Sequence, residues 1–175
     1  MNLDNVVLIG MPGCGKSTVG VLLAKAMGLE FIDTDVVFQA REKRKLQDMI
    51  DDIGIEAFLE KEEDAILSLK CNATVIATGG SVVYGNRAMK HLSQIGRIVY
   101  IQLPYEEIER RLNNLATRGV ALRQGQTLRE LYNERIPLYE AAAHMIYNAG
   151  CSDIEQTVHC IQRMLQDGNE VQHGC

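Results

Sequence analysis

The sequence predicts an α/β domain whose sheet is mostly parallel. Short apolar runs rich in β-branched residues alternate along the chain with longer stretches in which apolar residues recur at helical spacing. The first apolar run, residues 6–9, leads directly into a glycine-rich turn. At 175 residues the chain is long enough for one sizeable core. No linker divides it, so we expect a single domain over residues 1–175.

Five apolar runs are the predicted strands: residues 6–9, 30–32, 74–77, 98–103 and 145–148. Helices are predicted between them, and the first begins at Lys16, after which apolar residues recur at helical spacing. Another covers residues 127–143, because Thr127 precedes Glu130 by the three residues of a capping box. The last begins at Asp153 and has apolar residues at 154, 158, 161 and 165, which predicts one apolar face.

Residues 10–18 read Gly-Met-Pro-Gly-Cys-Gly-Lys-Ser-Thr and fit the phosphate-binding pattern of glycine, four residues, then Gly-Lys-Ser/Thr. In such a turn successive backbone N–H groups point at a phosphate chain, and the following helix adds its positive N-terminus. Lys16 is expected to reach the β- and γ-phosphates, and Ser17 to ligate Mg²⁺. An ordinary glycine-rich turn is the alternative. The flanking strand and helix favour a site for a nucleoside triphosphate.

Two further motifs follow predicted strands. Asp33 and Asp35 come after the second strand, where ligands bind in open α/β sheets. We expect Asp33 to join the magnesium shell and Asp35 to orient or deprotonate an acceptor hydroxyl; the alternative is that Thr34 or Asp35 caps the next helix. After the third strand, Gly79 and Gly80 would let a ligand approach the backbone closely, although a plain turn is equally consistent.

A polar segment with arginines and glycines covers residues 112–126. A phosphate-transfer enzyme needs a closing segment that excludes water and brings positive charge to the transition state. We therefore interpret residues 112–126 as a lid, with a surface loop as the alternative.

Composition and charge exclude several classes of partner. The net charge is −5, and the one dense basic run, residues 41–45, contains an acid and no aromatic residue, so we expect no nucleic-acid partner. No apolar run is long enough for a membrane span, and the first strand leaves no room for a signal peptide. The five cysteines are scattered at positions 14, 71, 151, 160 and 175, which predicts reduced thiols in a cytoplasmic protein.

Together these motifs resemble those of the shikimate kinases. The glycine-rich loop, Asp-Thr-Asp, Thr-Gly-Gly, an Arg-Arg pair, a lid arginine and Arg-x-Pro-Leu-Tyr at residues 135–139 occur in the family's order along almost the whole chain. The resemblance implies a three-layer P-loop kinase fold: a five-stranded parallel sheet in the order 2-3-1-4-5, helices on both faces, a lid and acceptor-binding helices at about residues 36–70. It implies transfer of the ATP γ-phosphoryl group to the 3-hydroxyl of shikimate, with Mg²⁺, by a monomer.

The resemblance also implies a role for individual residues. Those implied to bind ATP belong to the P-loop or to the arginines after the fourth strand: Gly13, Cys14, Gly15, Lys16, Ser17, Thr18, Arg110 and Arg118. Those implied to bind the acceptor follow the second and third strands or lie on the helix over 127–143: Asp35, Gly79, Gly80 and Arg135. Ser17 and Asp33 are implied to hold the metal. Catalytic roles fall to Lys16, Asp35 and Arg118.

The sequence departs from the family's pattern on the acceptor side. The usual Phe-Arg-x-x-Glu reads Phe-Leu-Glu-Lys-Glu, so Leu59 replaces an arginine that grips shikimate. Ser81 replaces the usual third glycine, and no proline follows Arg118. Losing a charged hydrogen bond to a buried carboxylate costs about 1.5–3 kcal/mol, or about ten- to a hundredfold in affinity. A leucine directed into the pocket would also make it smaller. A smaller hydroxy acid such as homoserine is therefore the alternative acceptor, unless Lys61 or another side chain supplies the charge.

Other nucleotide-binding classes fit less well. A GTP-dependent switch needs an Asn/Thr-Lys-x-Asp sequence, and no lysine here is followed two residues later by aspartate. A mechanical ATPase needs an apolar strand that ends in two acids, which is also missing. A nucleotide-binding regulatory domain without turnover stays open as the non-enzyme alternative.

Overall fold

The computed structural model describes residues 5–113, 123, 125–150, 152–168 and 171–173. The strands are β1 Asn5–Ile9, β2 Glu30–Asp33, β3 Thr74–Ala77, β4 Gly96–Gln102, β5 Met145–Asn148 and β6 Val171–His173. The helices are α1 Lys16–Met27, α2 Thr34–Glu42, α3 Leu46–Leu67, α4 Asn86–Ile95, α5 Tyr105–Asn113, α6 Leu128–Ala142 and α7 Ile154–Asp167. A short 3₁₀ turn covers Val82–Tyr84.

The sheet has the order β2-β3-β1-β4-β5-β6, and every neighbouring pair is parallel. The predicted order of the first five strands is confirmed. The sixth strand extends the sheet at its β5 edge and was not predicted, because a three-residue run is too short to show a period. The carboxyl ends of β1, β2 and β3 therefore lie side by side, and the loops that follow them form one edge of the molecule.

The core lies along the central strands. All five residues of β1 and all four of β3 are buried, and α1 packs against α7. This packing explains why both strands are uninterrupted apolar runs in the sequence. On α7 the predicted apolar face is only partly buried: Val158 and Ile161 are in the core, whereas Ile154 is 47% exposed in the first turn of the helix.

A second, smaller core holds α2 against α3. Phe38, Met49, Phe58 and Ala65 are its buried members, and the rings of Phe38 and Phe58 are 5.4 Å apart between centroids. Gly54 interrupts α3 with φ +78°, a left-handed conformation that favours glycine. The second half of α3 thereby presents Phe58 and Glu62 at buried positions beside the sheet edge.

Two helix starts agree with the predicted capping. Thr127 and Glu130 form a reciprocal capping box at α6, and Asp153 with Gln156 forms another at α7. The predicted lid, residues 112–126, lies largely outside the described residues. Within the described ranges no helix is both long and apolar enough to cross a membrane. Cys14, Cys71 and Cys160 lie within these ranges and are not in disulfide bonds, while Cys151 and Cys175 lie outside.

Candidate active site

The loop between β1 and α1 has the backbone geometry of a phosphate-binding loop. Gly13 and Gly15 have φ angles of +80° and +100°, which residues other than glycine rarely adopt. Helix α1 begins immediately afterwards at Lys16. Gly10 is confined as well, because a Cβ there would lie 2.7 Å from the carbonyl oxygen of Ile101. The glycines of the motif are therefore required by the path of the backbone.

Lys16 is buried at the base of this loop. Its Nζ donates hydrogen bonds to the carbonyl oxygens of Gly10 at 2.8 Å and Met11 at 2.9 Å. A buried ammonium needs such partners, since desolvation without them is costly. The positive charge is thus held against the loop that precedes α1.

A cleft of about 450 Å³ opens beside the loop. One wall is the P-loop and the other is formed by α2 and the start of α3. The lining residues are Pro12, Gly13, Gly15, Lys16, Ser17, Asp33, Asp35, Val36, Gln39, Lys45, Leu46, Gln47, Thr78 and Gly80. Of the predicted ATP-binding residues, Gly13, Gly15, Lys16 and Ser17 line the cleft; Cys14 is buried in the core and Thr18 is exposed.

Asp33 has two roles open to it. Its Oδ1 accepts the backbone N–H groups of Asp35 and Val36, so Asp33 itself caps α2, a place that the sequence left to Thr34 or Asp35. Its Oδ2 has no hydrogen-bond partner among the described residues, and the side chain lines the cleft with Ser17. Carboxylate and hydroxyl oxygens beside a phosphate site suit Mg²⁺, which takes few protein ligands and completes its shell with phosphate and water. No larger cluster of potential metal ligands is found among the described residues.

A smaller cavity of about 20 Å³ lies deeper and shares Pro12, Asp35, Leu46 and Gly80 with the cleft. We call it the inner pocket. Its lining residues come from five parts of the chain: Pro12, Asp35, Leu46, Phe58, Glu62, Gly79, Gly80, Ser81 and Arg135. All four predicted acceptor residues line the inner pocket, and Asp35 and Gly80 also line the cleft, so the predicted acceptor residues are assembled at one place.

Gly79 and Gly80 allow the charged side chains to converge. A Cβ at Gly79 would lie 2.6 Å from Oε1 of Glu62 and 2.7 Å from Oδ1 of Asp35. A Cβ at Gly80 would lie 2.7 Å from Cδ of Pro12 and 3.1 Å from Nη1 of Arg135. These positions need glycine because side chains approach the backbone, and the Gly79 N–H is already bonded to the hydroxyl of Thr34.

Arg135 is almost fully buried, at 1% exposure, although it is charged. Its Nε donates to the hydroxyl of Tyr84 at 3.2 Å, and its guanidinium lies 5.0 Å from the centre of the Tyr84 ring. Arg135 is therefore not a solvent-exposed charge on the surface of α6. A buried guanidinium in a polar pocket is suited to gripping a carboxylate through two parallel hydrogen bonds.

Glu62, the glutamate of the acceptor-side motif to which the sequence prediction gave no role, lines the inner pocket. It is 5% exposed, and its two carboxylate oxygens accept the Ser81 hydroxyl at 2.9 and 2.7 Å. The pKa of Glu62 is raised to about 7, mainly because the carboxyl group is buried; the Ser81 hydrogen bond and Arg135 oppose this rise, and Asp35 adds to it. The signal available in the sequence was a glutamate one turn after Phe58 and one turn before the buried Ile66 on the same helix.

The arginine pair on α5 divides differently from the prediction. Arg110 is exposed, and its Nε and Nη2 donate to the two carboxylate oxygens of Glu107 at 2.9 and 2.7 Å. Arg111 also pairs with Glu107, to which its Nε donates at 2.6 Å, and its Nη1 reaches the P-loop and donates to the carbonyl oxygen of Gly13 at 3.3 Å. Of the two arginines, Arg111 is therefore the one that contacts the P-loop. Arg118, the predicted lid arginine, lies outside the described residues.

Leu59 does not point into the inner pocket. It is partly buried against the core of Phe38, Met49, Phe58 and Ala65, and it is not among the residues that line the cleft or the inner pocket. The expectation that this leucine would narrow the pocket is therefore wrong. Lys61 does not supply the missing charge either, because it is exposed and its Nζ pairs with Glu42 at 3.0 Å.

Comparison with known proteins identifies relatives of this arrangement. The family model described as shikimate kinase matches residues 12–166. A shikimate kinase of Paracidovorax citrulli is 43% identical over 150 residues, which cover 81% of this chain and 80% of the relative. A shikimate kinase of Clostridium botulinum is 37% identical over 151 residues, covering 83% of this chain and 88% of the relative.

A solved structure agrees with these sequence matches. The shikimate kinase from Acinetobacter baumannii in complex with shikimate superposes with a TM-score of 0.88 at 28% identity, over 95% of each chain. Sequence and three-dimensional fold therefore point to the same group of proteins.

Proposed function

Because the chain belongs to the shikimate kinase family, we propose that its acceptor is shikimate and that phosphoryl transfer takes place in the cleft between the P-loop and Asp35. The family comprises ATP-dependent kinases that act on a hydroxyl group, and this chain is a phosphotransferase of that kind. One observation carries the choice of site: Lys16 and Asp35 line the same cleft from opposite walls.

On the nucleotide side, the P-loop backbone binds the phosphates of ATP. The N–H groups at the start of α1 point at the β-phosphate, and Lys16 neutralises the charge shared by the β- and γ-phosphates. Ser17 and Asp33 would hold Mg²⁺, which would supply positive charge beside the phosphate groups. The oxygen atoms available on Ser17 and Asp33 support this assignment.

On the acceptor side, Asp35 accepts the proton of the reacting hydroxyl. The hydroxyl oxygen forms a bond to the γ-phosphorus while the bond from that phosphorus to the β–γ bridging oxygen breaks, and ADP leaves. Arg135 binds the acceptor's carboxylate and fixes the direction of the hydroxyl. Gly79 and Gly80 admit the acceptor close to the backbone beside these side chains.

Arginines complete the nucleotide site. We assign Arg111, which contacts Gly13, to the side of the cleft that faces the nucleotide base and ribose. Arg118 is assigned to the transition state, where a guanidinium stabilises charge on the transferred group. This assignment of Arg118 follows the family pattern of the sequence.

The test is ADP release by the purified protein with MgATP and shikimate, followed by identification of the phosphorylated product. We expect release that depends on shikimate, with product phosphate on the hydroxyl that Asp35 faces. Lys16→Ala is the matched control, because it removes the phosphate-binding charge and leaves the acceptor pocket intact. ATP binding without shikimate-dependent release of ADP would contradict the proposed acceptor.

A smaller hydroxy acid, such as homoserine, is the second candidate acceptor. It is favoured by one observation: among the described residues, Arg135 is the only cationic side chain that lines the inner pocket, and Leu59 packs elsewhere. The same assay with homoserine in place of shikimate decides between the two acceptors. A higher kcat/KM for homoserine would mean that the loss of the arginine at position 59 changed the substrate.

A further inference from the structure

The inner pocket contains an unbalanced set of charges. Asp35 on α2 and Glu62 on α3 contribute carboxyl groups, and Arg135 on α6 contributes a guanidinium, the one cation among the described residues that line the pocket. Oε1 of Glu62 and Oδ1 of Asp35 converge on the place that a Cβ would take at Gly79, where no side chain separates them. If both carboxyl groups are ionised, the pocket has a net charge of −1, in a place where the proposed acceptor brings a second negative charge.

Ser81 is the neutral partner of Glu62. Its Oγ lies 2.9 and 2.7 Å from the two carboxylate oxygens, and both side chains are buried. Ser81 stands after β3, at the position where the sequence departs from the third glycine expected by resemblance, and Glu62 stands on α3. The hydroxyl therefore ties the carboxyl group to the floor of the pocket, and it favours the ionised form because it donates a hydrogen bond.

We propose that Ser81 and Glu62 together set the charge preference of the acceptor pocket, with Ser81 as the positioning residue, so that an anionic acceptor binds together with a proton taken up by Glu62. The inference rests on the proposed function, because it takes the acceptor to be a carboxylate bound at Arg135.

The direction of the effect follows from the charges. When Glu62 is protonated, the negative charge of Asp35 is balanced by the positive charge of Arg135. An anionic acceptor then binds without repulsion from Glu62. With Glu62 ionised, a second carboxylate faces the anion in a poorly solvated cavity, where charge interactions are strong. The pKa of Glu62 is raised to about 7, mainly by burial, so this change occurs near neutral pH. Affinity for an anionic acceptor therefore falls as pH rises through 7.

Ser81 opposes proton uptake. Its hydrogen bond lowers the pKa of Glu62 against the larger effect of burial. Removing the hydroxyl should move the loss of affinity to a higher pH, by about one pH unit for a hydrogen bond to a charged group. A zwitterionic acceptor responds in the opposite sense, because its ammonium group is attracted by the ionised carboxylate.

The experiment is calorimetric titration of the nucleotide-free protein with shikimate between pH 5.5 and 8.5. Each titration is repeated in two buffers that differ in ionisation enthalpy, because the difference in heat gives the number of protons taken up. For the unaltered protein we expect affinity to fall about tenfold or more across the range, with uptake of a fraction of a proton near pH 7. Over the same range, the carboxyl group of shikimate itself stays ionised.

Three variants separate the roles. Ser81→Ala should shift the affinity curve to higher pH, and Glu62→Gln should give an affinity independent of pH and no proton uptake. Ser68→Ala is the matched control, because Ser68 bonds the Ala65 carbonyl oxygen at the end of the helix that carries Glu62. Its curve should match that of the unaltered protein. A merely structural role for Ser81 would weaken binding equally at every pH.

The outcomes distinguish the two levels of inference. Shikimate binding that is independent of pH, or proton uptake that persists in Glu62→Gln, overturns the charge preference and leaves the proposed function in place. Failure of shikimate to bind at any pH contradicts the proposed acceptor, and the charge preference for an anion falls with it. If the curve of affinity against pH is shifted in Ser81→Ala and flat in Glu62→Gln, the result supports both the proposed acceptor and the charge preference.

Discussion

The two walls of the cleft are constructed in different ways. The P-loop wall comes from one continuous stretch between β1 and α1, and its geometry is fixed by glycine dihedral angles and by the carbonyl oxygens that hold Lys16. The acceptor wall combines single side chains from α2, α3, α6 and the loop after β3, which meet only through tertiary packing. The first wall uses mainly backbone groups, whereas the second uses buried charges.

This difference determines what each wall can tolerate. A backbone site recognises any triphosphate that fits the loop, so its phosphate-binding N–H groups are kept when a nearby side chain changes. A site of buried charges depends on each partner, because removing one leaves another uncompensated. The acceptor wall is therefore where a substitution such as Ser81 can alter selectivity while phosphoryl transfer is retained.

The largest effect on turnover is expected when Lys16, the charged side chain of the P-loop wall, is replaced. Lys16→Ala should lower kcat by about 1,000-fold, because it removes a positive charge aimed at the transferred phosphoryl group. Steady-state ADP release at saturating MgATP and shikimate measures the effect. Far-ultraviolet circular dichroism should be unchanged, since the loop's glycines and α1 do not need the ammonium. Near-normal turnover would contradict the assignment of this loop as the phosphate site.

On the acceptor wall, Asp35→Asn should lower kcat by about 100-fold or more, as expected for loss of a general base. The KM for ATP should change little, because Asp35 faces the acceptor. Loss of ATP binding with retained acceptor binding would show instead that Asp35 and Asp33 have exchanged roles. Measuring both dissociation constants by titration separates these cases.

The sequence was sufficient for the P-loop wall and only partly for the acceptor wall. The glycines, Lys16 and the order of the five strands were predictable because each depends on a local pattern. Glu62 and Ser81 are 19 residues apart, and their contact depends on the packing of α3 against the loop after β3. Likewise, the adjacent Arg110 and Arg111 both pair with Glu107, but Arg111 also reaches the Gly13 carbonyl oxygen, because a helix turns by about 100° per residue and the two side chains leave it in different directions. The prediction that Leu59 points into the pocket was wrong for the same reason, because its direction depends on the rotation of the helix.

Arg135→Lys tests the buried guanidinium while keeping its charge. The KM for shikimate should rise about tenfold with little change in kcat, because lysine cannot make the paired hydrogen bonds of a guanidinium. Thermal unfolding of the variant serves as the control, since Arg135 also contacts Tyr84. A variant that retains its melting temperature and the original KM would show that the acceptor's carboxylate binds elsewhere.

The smallest effect is expected on α5, where substitutions should change the binding of ATP and leave the binding of shikimate unaffected. Arg111→Ala should raise the KM for ATP severalfold, on the order of one hydrogen bond, because the Arg111 guanidinium lies against the Gly13 carbonyl oxygen at the edge of the P-loop. Arg110→Ala is the matched control from the same helix: this side chain is exposed and paired with Glu107, so the KM for ATP should change less than about twofold, as expected for a surface ion pair. The KM for shikimate should be unaffected in both variants, because neither arginine lines the inner pocket. The reverse ranking, with Arg110→Ala the more damaging for ATP, would restore the arrangement expected from the sequence and would mean that Arg110 leaves Glu107 when the nucleotide binds.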